Sequence, residues 1–453
     1  MKFVVCIKQV PMVSSLAFDL ETKTLKREGV QLEVSSFDIR ALLKAVELKA
    51  RHGGEVVALT MGPPQARKAL EHCLALGADR ALHLVDRAFA GSDTLATARA
   101  ISLALRREGF DLIFCGKCST DAETGQVGPE VAELLGIPQM TAIHSLEIDP
   151  SARIIRAERE TDAGYESVEA PLPALITAAE DLAPERFPTR KERAEAAEKA
   201  IQEVKALDLT DDLSCFGLQG SPTEVSGIEI VEVSRERRLL DGGSLEERVK
   251  QLVQLLVERG LFKTDESDDV LEETPALRRS TPPIANQSIW VLAELLNGQI
   301  RPVTLELLGK SMELAEKSGG EVSALLIGHN LTPHLSLLVA YGADRVYVAD
   351  DPRLDPYTTE AHAAILTHAI QRHHPKALLI PSTFYGRDLA PRVAARLGLG
   401  LTGDCIDLDL DPKGRLVQYK PAFGGLVVAP SLSRTSPEMA TVHPAMLTPI
   451  RQE

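Results

Sequence analysis

An internal repeat constrains this chain more than any other feature. GGEVVALTMG at Gly53 to Gly62 returns as GGEVSALLIG at Gly319 to Gly328. GADRALHLVD from Gly77 returns as GADRVYVADD from Gly342, and PEVAELLG from Pro129 returns as PRVAARLG from Pro391. The offsets are 266, 265 and 262 residues, in one order and at nearly one value. Chance matches do not keep register, so two copies of one domain are present. Each copy alternates short apolar runs with helical patterns, which predicts two doubly wound, mostly parallel α/β sheets in tandem. Strands are expected near 2–7, 55–61, 80–84 and 111–115, and again near 288–293, 321–327, 345–349 and 376–380. Each copy ends in β-rich sequence, around 140–178 and 401–447. The expected organisation is a first domain over 1–262, a charged linker over 263–287 and a second domain over 288–453. Just before the linker, Leu245, Val249, Leu252, Val253, Leu256 and Val257 mark one helical face, expected to pack back onto a domain.

A chain of 453 residues with 44% hydrophobic residues can build more than one core. Its net charge of -15 and 4% aromatic content argue against a nucleic-acid partner. No stretch reaches the length of a transmembrane helix. The N-terminal MKFVVCIKQVP reads as a first strand rather than a signal peptide. Six scattered cysteines form no disulfide framework, so a cytoplasmic setting is expected. Cys115 and Cys118 make one CxxC, but two further ligands at a zinc spacing are missing, so no metal site is expected. No Ser/His/Asp or paired-carboxylate arrangement stands out, so no catalytic residue is assigned.

The strongest local signal is LIFCGKCSTDAETGQVGPEVAELLG, Leu112 to Gly136. A buried strand runs into a polar loop, and Gly125, Gln126, Val127 and Gly128 lead into a helix. In an open α/β sheet ligands bind beyond the carboxyl ends of strands, and helix N-terminal amides suit phosphate groups. The alternative is an ordinary turn whose glycines only cap and pack.

With CIKQVP near the N-terminus, TGQVGPEVAELLGIPQMT resembles the small (β) subunit of electron transfer flavoproteins, a likeness extending over 1 to about 262 and including GSPTEV at Gly220 to Val225. From Ile289 to about Pro449 the chain resembles the first domain of the large (α) subunit, on STFYGRDLAPRVAARLGLGLTGDC, KPAFGG and SPEMATVHP. The resemblance implies a Rossmann-like, adenine-nucleotide-hydrolase-like fold and FAD or AMP in the small-subunit site. It places the adenylate around Cys6, Ser35, Ser36, Phe37, Asp38, Met61, Asp121, Thr124, Gly125, Gln126, Val127, Gly128 and Val131. It places a flavin ring between the halves, near Arg387, Thr402, Asp404, Lys420, Phe423 and Gly424. It further implies NADH as a donor in bifurcating members, and Leu182 as an apolar anchor for a partner dehydrogenase. The second FAD would come from a separate polypeptide carrying the large subunit's FAD domain. Two departures stand out: Lys420 replaces a family arginine, and lysine lacks the planar fork of guanidinium. The docking loop around Leu182, AAEDLAPERF at Ala178 to Phe187, remains, but the basic run that commonly follows it is missing, and the sequence there reads TRKERAEAAEKAIQ. A non-redox adenine-nucleotide-binding scaffold on the same fold is the competing reading.

Overall fold

The structure is a computed structural model describing residues 1–12, 17–19, 24–26, 30–231, 237–259 and 287–452. The expected linker, save Gln287, lies outside the described residues.

Apolar runs such as FVV at Phe3 to Val5 and IWVL at Ile289 to Leu292 are buried on both faces, as strands central to a parallel sheet must be. The first sheet has nine strands, in the order Gly164–Pro171, Ile154–Thr161, Gln139–Asp149, Ala174–Ala178, Leu112–Gly116, Lys2–Cys6, Glu55–Met61, Arg80–Leu84, Ile201–Val204. The first three pair antiparallel and the remaining neighbours pair parallel. The second sheet has six strands, all parallel, in the order Arg345–Asp350, Val322–Gly328, Ile289–Ala293, Ala377–Pro381, Glu438–Val442, Leu401–Cys405. That order reproduces the centre of the first sheet strand for strand, so the sequence repeat is a repeat of topology. The repeated double glycine has a packing reason: a Cβ on Gly54 or Gly320 would stand 1.9 Å from the carbonyl oxygen of Met1 or Gln287.

Helices cover both faces of each sheet. On the first, Ser36–His52 and Arg67–Leu76 bury one apolar stripe, and Thr94–Glu108 and Val127–Leu135 bury another on the opposite face. On the second, Pro302–Ser318 takes one face while Thr359–His373 and Phe384–Leu397 take the other.

A third, antiparallel sheet joins the two halves of the chain. Leu416–Ala422 lies between Asp407–Leu410 and Val427–Ser433, and Thr223–Val225 and Glu229–Ile230 pair along Val427–Ser433. Arg434 clamps this graft by reaching Glu224 at 2.8 Å and the Leu218 carbonyl at 2.8 Å. One expectation fails nearby. The helix Leu245–Glu258 forms, with Ser244 capping it, but Leu245, Val249, Leu252, Val253 and Val257 are exposed and it buries no residue. Amphipathic spacing specifies a helix with an apolar stripe, and it does not specify what covers that stripe.

Candidate functional site

Strand order reverses between Lys2–Cys6 and Leu112–Gly116: the chain proceeds from the first strand outward to Glu55–Met61, then returns to the other side. Beyond the carboxyl ends of these strands lies a cavity of about 380 Å³. This is where open α/β sheets hold ligands.

Gly125, at φ 63°, turns the chain into the helix Val127–Leu135. Gln126 at the cap position makes no capping bond with its side chain. Among the described residues no protein acceptor takes the N–H of Gly125, Gln126, Val127 or Gly128, and all four residues line the cavity. Four unpaired amides at the positive end of a helix form an anion cradle. The helix lies close to the sheet here, since a Cβ on Gly128 would stand 2.8 Å from Thr177 Cγ2.

A second helix start faces the same space. Ser92, Asp93, Thr94 and Thr97 line the cavity, and Asp93 caps Thr94–Glu108 by accepting from the Ala96 amide at 3.0 Å. Thr94 Oγ1 lies 2.8 Å from Gln126 Oε1 and 3.0 Å from Glu130 Oε1. One hydroxyl proton cannot serve both acceptors. Burial, reinforced by Asp93, pushes the Glu130 carboxyl up to about 8, and a protonated Glu130 donating to Thr94 completes the chain. Asp38 ties two strand ends together, accepting from the amides of Lys8 at 2.7 Å and Gly116 at 3.0 Å. Burial raises its carboxyl to about 7. Lys8 Nζ reaches Asp121 at 2.7 Å and Ser119 at 3.1 Å. Burial lifts the Cys118 thiol to about 11, so it stays protonated at neutral pH.

The second half of the chain closes over this side. A further cavity of about 250 Å³ is lined by Lys117, Gly125 and Thr177 from the first half, and by Ser382, Thr383 and Arg387 from the second. Gly125 borders both cavities. Arg387 Nη2 donates to Asp404 Oδ1 at 2.6 Å, and its Nε donates to Ser382 Oγ at 3.1 Å. The contact between halves is polar and buried. Glu133 pairs with Arg392 at 2.8 Å and Arg396 at 2.6 Å, and Gln139 and Thr141 donate to Asp388 at 2.8 Å each.

Comparison with known proteins then decides the family. The electron transfer flavoprotein domain model matches residues 22–209 and 289–453, well over half the chain. The chain belongs to that family. It is 42% identical to the electron transfer flavoprotein subunit beta of Thermoanaerobacterium thermosaccharolyticum, over 57% of this chain and 97% of that protein. Protein FixA of Azorhizobium caulinodans is 40% identical over 50% of this chain and 84% of its own length. The subunit alpha of T. thermosaccharolyticum is 44% identical over 36% of this chain, which spans about half of that subunit, 49%.

Against the residues that family likeness singles out, the structure brings Cys6, Asp38, Met61, Thr124, Gly125, Gln126, Val127 and Gly128 to the larger cavity. Ser35 is buried beside it, 3.5 Å from the Cys118 carbonyl, while Ser36 is exposed and Phe37 half-buried. Val131, on the cradle helix itself, is buried in the core. Asp121 accepts from Lys8 with its carboxylate and from the Phe423 amide, at 2.9 Å, with its carbonyl. Of the second group, Arg387 lines the interlobe cavity and Asp404 holds its guanidinium. Thr402, Asp404 and Lys420 form a buried layer in which Lys420 Nζ donates to the Gly403 carbonyl at 2.9 Å. Burial depresses the Lys420 ammonium. Gly424 is exposed at the turn after Phe423.

Leu182 requires a correction. An anchor that inserts into a partner would stand exposed, yet Leu182 is 5% exposed and belongs to the first core, where its turn packs on the helix Ser36–His52. A polar loop pattern does not reveal that its one leucine folds inward. Residue reading also missed Lys8, the Ser92–Thr97 wall and Asp388. The capping pattern Ser92-Asp93-Thr94 ahead of a helix was the available signal for the wall.

Proposed function

We propose that this chain is an electron carrier that holds an adenine nucleotide, FAD or AMP, in the cavity at the first switch point. The carrying observation is the set of four unpaired amides from Gly125 to Gly128, opening onto a cavity lined by the first half of the chain, with Gly125 also bordering the cavity between the halves. Those amides bind the phosphate groups. Met61, Leu59 and Ile101 supply an apolar wall for the adenosine end, and Lys8 on the rim adds positive charge.

FAD, when bound, supplies the redox chemistry, and the protein contributes position and electrostatics. The interlobe cavity, which borders the same Gly125 as the cradle, suits a flavin ring. Arg387 presents a cation there, and Asp404 and Ser382 fix the direction of its guanidinium. Lys117, 31% exposed and paired with Glu160 at 2.7 Å, stands on the opposite side. The buried contact of Asp388 with Gln139 and Thr141 holds the two halves together at the edge of this cavity. Electrons pass to or from a partner dehydrogenase or other redox protein, with NADH as donor if the carrier is of the bifurcating kind.

The AMP reading rests on the smaller interlobe cavity, about 250 Å³, and on Arg387 already having an acid partner. An absorbance spectrum of purified protein, with analysis of the released nucleotide, separates the two. Flavin bands that bleach with NADH support the carrier. AMP alone makes the chain a scaffold, and a protein without any nucleotide, even after incubation with FAD or AMP, overturns both.

A further inference from the structure

The repeat gives the second copy a crevice at the same place as the first. Beyond the carboxyl ends of Ile289–Ala293 and Val322–Gly328 lies a cavity of about 680 Å³. That is within the range of small-molecule sites. Tyr357 on its wall stands 265 residues after Ser92 on the wall of the first cavity.

The phosphate cradle, however, is not duplicated. The repeat offset falls from 265 to 262 between strand and helix, so the second loop is three residues shorter. Its helix begins early, at Phe384. Arg387 to Ala390, the counterparts of Gly125 to Gly128, therefore lie inside a helix, where amides donate to carbonyls one turn back. The helix start itself is closed. Thr383 Oγ1 accepts from the Gly386 amide at 3.0 Å, and the Asp162 carboxylate from the first half accepts from the Phe384 amide at 3.1 Å.

The second cavity presents instead an aromatic wall bearing His362 and Glu294, faced by the mixed donor and acceptor side chains of Asn297, His329, Asn330 and His334. Tyr357 and Tyr385 stack with centroids 4.5 Å apart and planes at 29°. His362 Nδ1 lies 3.1 Å from the Thr358 carbonyl oxygen, which only accepts, so Nδ1 carries the proton. Burial lowers the pKa of this ring and keeps it neutral, which leaves Nε2 as an acceptor. Glu294, 8% exposed, adds a carboxyl held by Thr383 Oγ1 at 2.9 Å. Burial raises the Glu294 carboxyl to about 7, and beside it the His362 acceptor favours a ligand N–H over a phosphate oxygen at this end of the cavity.

We infer that the second copy carries its own ligand site, taking a planar, phosphate-free ligand with N–H donors, of the nucleoside class. Tyr357 and Tyr385 provide the stacking surface, and His362 Nε2 the acceptor that fixes orientation. The site is independent of the nucleotide bound by the first copy.

Equilibrium dialysis of labelled adenosine against the full chain, with and without saturating AMP, tests this. One equivalent of adenosine is expected to bind with AMP present. His362→Phe, which keeps the ring shape but removes the acceptor, should weaken adenosine binding by about tenfold or more and leave AMP binding unchanged. Leu296→Trp, which fills the cavity, should abolish adenosine binding. The inference is overturned if adenosine fails to bind, if AMP displaces it, or if neither substitution affects it. Failure of AMP itself to bind would count against the first-copy nucleotide site alone.

Discussion

Replacing Asp388 with alanine should loosen the two halves from each other. The side chain is 1% exposed and gathers four donors: Gln139 Nε2 and Thr141 Oγ1 at 2.8 Å, Tyr357 OH at 2.7 Å and Thr359 Oγ1 at 2.5 Å. Two come from each half of the chain. Bonds to an ionised acceptor contribute about 1.5–3 kcal/mol each, a gross loss of about 6–12 kcal/mol for four. Water entering the space and hydroxyls turning to other acceptors offset much of this. Arg159, 4.0 Å away, keeps its 2.7 Å bond to Glu166. The expected net loss is about 3–5 kcal/mol, the scale for breaking a buried charged network. Asp388→Asn, which keeps one acceptor and the volume, should lose only about 1–3 kcal/mol. Trp290, the sole tryptophan and 1% exposed in the second sheet, reports one half in a guanidinium titration. Far-UV circular dichroism reports both. The two signals should coincide in the wild type and separate in Asp388→Ala. A loss under about 0.5 kcal/mol, the level of an ordinary surface change, would refute the latch.

Gly128→Val forces a side chain onto Thr177 and into the cradle, so AMP affinity measured by calorimetry should fall by about tenfold or more. Unchanged affinity would remove the cradle from the site. Leu182→Ala should destabilise by about 2–4 kcal/mol in urea, as truncating a core leucine does; a neutral result would mean the leucine is free to leave the core. Glu130 predicts a pH slope. Its folded pKa, about 8, lies above its ordinary 4.5, so the native state binds the extra proton between those values. Stability contributed there falls as pH rises from about 4.5 to about 8 and is level above. Asp38, raised to about 7, acts with the same sign over a narrower window. Glu130→Gln should flatten the slope, followed as urea midpoints across pH; a slope equal to the wild type would show that Glu130 is ionised when folded.

Much of the fold was legible because its signals are local and periodic. Apolar runs, helical stripes and a constant repeat offset placed the strands and helices of both copies. That Gly125 to Gly128 would lead from a loop into a helix start was legible for a related reason: glycine permits the tight turn and the close backbone packing found there. The drop in offset from 265 to 262 was also in the sequence, yet its consequence needed coordinates. A three-residue difference in loop length decides whether a helix starts at the cavity, with free amides, or a turn earlier, with those amides already bonded.

Contacts between distant segments were the part that residue order alone left open. The pairing of Thr223–Val225 with Val427–Ser433 and the convergence on Asp388 join positions more than two hundred residues apart. Leu182 and the helix Leu245–Glu258 illustrate the same limit in opposite directions. A leucine in a polar loop found the core, and an amphipathic helix did not. Periodicity states which face of an element is apolar; only tertiary packing determines whether another surface arrives to cover it.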